Sequence, residues 1–221
     1  MSSEIIVSSE KPLCLVGGAV AATSEILDIS QWVDGFVAVD SGADALLAAG
    51  IEPAVVVGDL DSLSAQSRAS FADRLHEIKE QSTTDFEKAL TRVASPALIA
   101  LGFTGGRMDH ILSVLSVMVR YPDKPVILAD AHDVSFLVSG RKIAFELPKG
   151  TRVSLMPVVD TTVSLDGVVW PFSQRLMAMS GFTSPSNAGL GGDVVVRADA
   201  AVLVTLPRAH LATALKAVAR G

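Results

Sequence analysis

The sequence predicts an α/β N-terminal domain, with a mostly parallel sheet covered by helices, followed by a smaller all-β C-terminal sandwich. Three observations predict it. Short apolar runs alternate with helical patterns over the first ~135 residues, as in strands joined by crossover helices. Several of those runs are apolar throughout, as in strands buried on both faces. Near residue 133 the helical patterns stop, and short β-prone runs broken by Gly, Pro and Asp follow one another. The expected domains are 1–135 and 136–221.

The elements follow in order. "LCLVGG" (13–18) reads as a strand and a turn, and "GFVAVD" (35–40) as a strand ending in Asp40. "SGADALLAAG" (41–50) reads as a helix capped by Ser41 and stopped by Gly50. Pro53 opens the strand "AVVVGD". "SAQSRASFADRLH" (64–76) and "TDFEKALTRVA" (84–94) read as helices, with Phe86, Ala89, Leu90 and Val93 on the core face of the second. "ALIALG" (97–102) is a strand. "RMDHILSVLSVMVRY" (107–121) is an amphipathic helix whose apolar face is Met108, Ile111, Leu112, Leu115, Met118 and Val119. "PVILAD" (125–130) is one more strand. Six β-prone runs come next, from "VSFLVSG" to "AVLVTLP", and "HLATALKAVARG" closes as a helix.

Composition bounds the function. Hydrophobic residues make up 49% of the 221, charged residues 19%, and the net charge is −6. A dedicated nucleic-acid binder shows a basic stripe, and none is present. A single cysteine, Cys14, lies in an apolar run and reads as an inert core thiol. No basic, apolar leader opens the chain, and no apolar run reaches the ~18 residues a membrane span needs. The expectation is a cytoplasmic protein with no membrane partner.

"VVVGDLDSLS" (55–64) drives an apolar strand into two carboxylates, Asp59 and Asp61. Ligands of open α/β sheets gather at the carboxyl ends of the strands, where Asp40, Asp59 and Asp61 all fall. Converging carboxylates repel, and a hard cation such as Mg²⁺, which takes oxygen ligands, relieves the repulsion. Taken alone, the pair also fits an Asx turn in a surface loop. In "QSTTDFEKAL" (81–90), Thr84 and Glu87 fit a capping box. Asp85 and Lys88 share the first turn, where a helix N-terminus favours phosphate. In "LGFTGGRMDHILSVL" (101–115), Gly105 and Gly106 form a turn that a ligand can approach closely, and Arg107 offers donors to phosphate oxygens. His110 fits capping or packing as well as ligand binding. No G-x-x-x-x-G-K-[ST] or G-x-G-x-x-G motif accompanies these residues.

Three segments carry a resemblance: "DSGADALLAAGIEPAVVVGDLDSL", "STTDFEKAL" and "LGFTGGRMDH". In order and spacing they resemble the thiamine pyrophosphokinase family. "GVVWPFS" (167–173) and "SPSNAG" (184–189) are similar to family segments more loosely. Thr83 and Thr84 precede Asp85 where the family form is nearer D-S-T-D. The resemblance implies a homodimer that uses Mg²⁺ and ATP to convert thiamine to thiamine diphosphate, with AMP as the other product. It implies that Asp59, Asp61 and Asp85 hold metal and, with Asp109, form the catalytic set. It implies ATP contacts from Asp40, Gln81, Ser82, Lys88, Arg107 and His110. Thiamine would meet Trp170, Ser186 and Asn187. Two alternatives use similar motifs: a pyrophosphokinase acting on another alcohol such as a hydroxymethylpterin, and a non-catalytic nucleotide-binding regulator. A metal-dependent sugar-nucleotide transferase also uses D-x-D, but "TGGRMDH" disfavours it.

Overall fold

The apolar runs of the first half pair side by side as parallel strands. The computed structural model describes residues 4–19 and 21–219. These divide into two units: residues up to Val117 with Leu128–Asp130, and Met118–Ile127 with Ala131 onward. In the first unit the order is β1 (Val7–Ser8), β2 (Leu13–Val16), α1 (Thr23–Ile29), β3 (Gly35–Val39), α2 (Gly42–Ala48) and β4 (Val55–Gly58). There follow α3 (Ala65–Ser70), β5 (Leu75–Glu77), α4 (Asp85–Arg92), β6 (Val93–Ala94), β7 (Leu98–Leu101), α5 (Met108–Arg120) and β8 (Val126–Ala129). α5 and β8 each straddle the division.

The sheet order is β8-β7-β2-β3-β4-β5, with a small β1-β6 pair apart. β2 pairs in parallel with both β3 and β7, β3 with β4, and β4 with β5. β2 and β7 are buried at every position, which their lack of polar alternation dictates. Burying side chains such as Leu15 and Ile99 contributes roughly 1.5–3 kcal/mol each. The Cys14 thiol is part of this core. With β2, β3 and β4 parallel, the ends of β3 and β4 emerge on one edge, and the chain places Asp40 and Asp59 there.

Several expectations need correction. Ser41 sits at the N-cap of α2, but its backbone is helical and its hydroxyl does not cap. The helix expected over 64–76 ends at Ser70. Phe71 leaves helical geometry to bury its ring, and Leu75–Glu77 adds a parallel strand beside β4. Phe71 and Leu75 are four apart, so they imitate a helix face while serving a core contact and a strand. α4 stops at Arg92, and Val93 and Ala94 pair with Val7 and Ser8. On α5 the buried residues are Val114, Val117 and Met118, whereas Met108 and Leu112 are exposed. Seven of the nine residues 111–119 are apolar, so their spacing does not fix which side turns inward.

The second unit contains β9 (Asp133–Val138), β10 (Arg141–Leu147), β11 (Arg152–Pro157), β12 (Thr161–Asp166), β13 (Phe172–Met177), β14 (Ser184–Ala188), β15 (Gly192–Ala198), β16 (Val202–Pro207) and α6 (Leu211–Ala219). Its pairings are antiparallel, in the orders β10-β15-β12-β13 and β14-β11-β16-β9. β10 alternates buried and exposed residues, so one face is buried. β13 and β14 are strands that the sequence pattern missed. Both are edge strands, β13 is mostly exposed, and β14 carries Pro185, which an edge tolerates. Among the described residues no helix is long and apolar enough to cross a membrane.

Candidate functional site

Asp40, Asp59 and Asp61 meet at the ends of β3 and β4. One carboxylate oxygen from each lies within 4.8 Å of the others. Asp40 takes a left-handed backbone, φ 48°, directly after β3, and its N–H donates to Val57 O at 2.8 Å. That bond ties it to β4. Gly58 ends β4 where a side chain has little room: an added Cβ would stand 3.1 Å from Asp40 Cβ and 3.3 Å from Asp85 Oδ1. Glycine here lets Asp40 and Asp85 close in on the strand end.

Leu60, between the two loop acids, is left-handed at φ 63° and only 2% exposed. Such a backbone at a non-glycine residue costs about 1 kcal/mol or more. The loop therefore adopts a shape that Leu60 does not favour by itself. Asp59 Oδ1 accepts from Asp61 N–H at 3.3 Å, and Asp59 Oδ2 accepts from Gln81 Nε2 at 3.1 Å. Ser62 Oγ donates to Asp61 Oδ1.

α4 supplies the counter-charge. Thr84 Oγ1 accepts from Glu87 N–H, the capping geometry that starts the helix. Asp85 Oδ1 accepts from Asp59 N–H at 3.2 Å and from Lys88 Nζ at 2.9 Å. Lys88 is 1% exposed, and its Nζ also lies 3.9 Å from Asp59 Oδ2. An ammonium this deeply buried persists only when paired. Phe86, in the first turn of α4, packs its ring tilted against that of Phe103, with centroids 4.8 Å apart.

Electrostatics separates the acids. Burial pushes the Asp40 carboxyl above its ordinary range; the Ser41 N–H opposes this, and Asp85, Asp59 and Asp61 add to it. Burial also pushes Asp59 upward, but Gln81, the Asp61 N–H and Lys88 together pull it below its ordinary range. Asp40 Oδ1 is buried and has no hydrogen-bond partner among the described residues. Buried polar atoms are ordinarily partnered. A carboxylate oxygen without a donor, facing two more carboxylates, fits a hard divalent cation such as Mg²⁺. The converging trio thus includes Asp40, whereas Asp85, from the expected metal set, is engaged by Lys88 and the Asp59 N–H.

The other expected residues fall outside this knot. Ser82 donates through both N–H and Oγ to Glu80, as does Thr83. These four bonds hold the exposed Glu80 carboxyl down at about 2. Arg107 and Asp109 form a two-point ion pair at 3.1 and 2.7 Å, with both side chains exposed. Arg107 holds Asp109 below its ordinary range, with help from the His110 N–H.

In the second unit Trp170 is 64% exposed. Asn187 is 3% exposed, and its amide is spent on the Trp170 backbone. Oδ1 accepts from Trp170 N–H at 3.2 Å, and Nδ2 donates to Trp170 O at 2.9 Å. Ser186 is left-handed at φ 58°, with its N–H bonded to Ser154 Oγ. Sequence reasoning did not single out Leu60, Arg68, Asp44 or Glu80. Leu60, Arg68 and Asp44 contribute through burial or contacts that spacing does not signal, and Glu80 through local bonds to Ser82 and Thr83.

Residues 27–128 match the family model of the thiamin pyrophosphokinase catalytic domain. The chain is 27% identical over 176 residues to thiamine pyrophosphokinase 1 of Arabidopsis thaliana, a match covering 70% of this chain and 65% of that protein. The chain thus spans slightly less than two thirds of that relative's length. Among solved structures, the thiamin pyrophosphokinase of Geobacillus thermodenitrificans superposes with a TM-score of 0.72 at 24% identity, covering 89% of this chain and 96% of the other. That of Candida albicans superposes with 0.76 at 14%, covering 94% and 96%. At these identities the superpositions show the fold.

Proposed function

We propose that this chain, whose residues 27–128 match the thiamin pyrophosphokinase catalytic-domain model, transfers the pyrophosphoryl group of ATP to thiamine. The thiamine hydroxyl oxygen forms a bond to the β-phosphorus, the bond from that phosphorus to the α-phosphate oxygen breaks, and AMP leaves. The observation that carries this reading is the convergence of Asp40, Asp59 and Asp61 beside buried Lys88, with Asp40 Oδ1 lacking a partner.

Asp59 and Asp61 would hold Mg²⁺ together with Asp40, and Asp85 adjoins them through the Asp59 N–H. When bound, the cation neutralises phosphate charge and orients the triphosphate for in-line transfer. The chain's own part is positioning. Lys88 pairs with Asp85 and lies near Asp59 at the start of α4, whose N-terminus suits phosphate. Gln81 orients Asp59. Arg107 presents an exposed guanidinium suited to the nucleotide's phosphates, and Asp109 fixes the plane of that fork. Held below its ordinary range, Asp109 is a poor proton acceptor near neutral pH, so its role is to orient Arg107. Ser82 and His110 belong to the nucleotide site in this reading.

Trp170 offers an exposed face on which thiamine's aromatic rings stack, with Ser186 beside Asn187 on the neighbouring strand. Asn187 acts here by holding the Trp170 backbone. The same proposal takes residues 1–135 as the nucleotide and metal domain and 136–221 as a β-sandwich that contributes to thiamine binding. It includes a homodimer and a cytoplasmic setting. The test is ³¹P NMR of purified protein with ATP, Mg²⁺ and thiamine. AMP and thiamine diphosphate are expected in equal amounts; ADP, or no consumption of ATP, contradicts the proposal. Asp61→Asn is expected to abolish turnover with an unchanged melting temperature, and near-normal turnover removes Asp61 from the site.

A further inference from the structure

The acidic loop is held through its backbone by a residue of the helix that follows it. Arg68, on α3, reaches back eight residues, and its Nη2 donates to Leu60 O at 2.6 Å. Leu60 is the left-handed residue between Asp59 and Asp61, and its side chain is buried. A buried side chain and a bonded carbonyl pin its peptide from two directions, so the neighbouring acids inherit a fixed orientation. α3 has its own footing. Ser64 Oγ caps the helix by accepting from Ser67 N–H, and it donates to Asp44 Oδ1 at 2.5 Å. Ser67, fully buried, donates its hydroxyl to the same Asp44 oxygen. Asp44 lies in the first turn of α2, which begins two residues after Asp40. One continuous hydrogen-bonded brace therefore links the loop after β3 to the loop after β4.

We propose that Arg68 is a positioning residue for the acids Asp59 and Asp61, with Asp44, Ser64 and Ser67 as the footing that fixes their spacing from Asp40. The proposal rests on reading the three acids as a metal site. Groups that orient metal ligands govern affinity although they never touch the ion, and their loss typically weakens binding by roughly 10–100-fold. Charge alone predicts the opposite sign, since deleting a cation near carboxylates favours binding of another cation. The direction of the change therefore separates positioning from electrostatics.

The experiment is Mn²⁺ binding to the purified protein, read by electron paramagnetic resonance, with thermal melting alongside. Arg68→Ala is expected to weaken Mn²⁺ binding about 10-fold or more with little change in melting, because Arg68 is exposed. Arg68→Lys, which keeps one donor for Leu60 O, is expected to recover most of the affinity. Asp44→Asn, which weakens the footing from the other end, is expected to weaken binding in the same direction and serves as the second variant if Arg68→Ala does not fold. Arg74→Ala is the charge-matched control. Arg74 bonds Pro53 O and Glu52, so its loss is expected to leave Mn²⁺ affinity unchanged. Unchanged or tighter binding in folded Arg68→Ala overturns the proposal, as does wild-type protein that binds no Mn²⁺. If the variants weaken Mn²⁺ binding while ³¹P NMR shows no thiamine diphosphate, the brace stands and only the proposed reaction falls.

Discussion

Lys88→Met removes the one buried cation of the site while keeping a side chain of similar length. Its ammonium lies 2.9 Å from Asp85 Oδ1 and 3.9 Å from Asp59 Oδ2. At an effective dielectric constant of about 20, the gross attractions are about 6 and about 4 kcal/mol. Desolvation of the lysine offsets several kcal/mol of that. What the variant leaves behind decides the outcome: Asp59 and Asp85 face each other, and Asp40, with no counter-charge. Removing one partner of a buried pair costs about 3–5 kcal/mol. Asp85 keeps 29% of its side chain in solvent and Asp59 16%, so the low end, about 3 kcal/mol, is expected. For a chain of this size that lowers the melting temperature by roughly 6–12 °C. Differential scanning calorimetry without divalent cation measures it. Millimolar Mg²⁺ is expected to narrow the gap by restoring positive charge among the acids. A melting temperature within a degree of wild type, with or without Mg²⁺, refutes the assignment of Lys88 as counter-charge.

Asp40→Asn is expected to act with opposite signs on two readouts. It relieves a buried carboxylate whose Oδ1 has no hydrogen-bond partner and which faces like charges, so metal-free protein melts higher, while Mn²⁺ affinity and turnover fall; lower stability in the metal-free protein counts against the electrostatic picture. Glu80 gives a pH signature. Its folded pKa of about 2 lies below an unfolded value near 4.3, so its contribution is full above about pH 4.5 and lost as pH falls toward 2. The melting difference between wild type and Glu80→Gln is expected to shrink over that window, and a constant difference contradicts the bonds to Ser82 and Thr83. Trp170→Ala is expected to raise the KM for thiamine more than that for ATP. Asn187→Leu is expected to share that selectivity because it frees the Trp170 backbone, and unchanged thiamine KM in both variants removes Trp170 from the thiamine site.

The acidic edge was legible because strand physics and site chemistry leave their marks in the same residues. Runs such as "LCLV" and "VVVG" are apolar throughout because both faces are covered, and the acids follow where those runs stop. Asp85 and Lys88 were readable from helical spacing, which brings residues three apart together. The part played by Asp40 was less legible. Its unpartnered oxygen depends on burial and on the close approach of Gly58, neither of which spacing encodes. Arg68 was invisible for the same reason: its bond to Leu60 O depends on how α3 is anchored through Asp44. The strand at 75–77 and the inward side of α5 were misread because Phe71 with Leu75, and the apolar ring of α5, satisfy helical periodicity without fixing what they pack on. Asn187 was expected at the thiamine site from the resemblance of "SPSNAG" to a family segment; its burial and two bonds to the Trp170 backbone emerge only in three dimensions.

The most direct measurement is anomalous diffraction from a crystal soaked in Mn²⁺ and a non-hydrolysable ATP analogue. A peak at coordination distance, about 2.0–2.3 Å, from oxygens of Asp40, Asp59 and Asp61, beside the analogue's phosphates, is the predicted result. Ordered phosphates with no Mn²⁺ peak among those three carboxylates, or a peak held by other residues, would contradict the account.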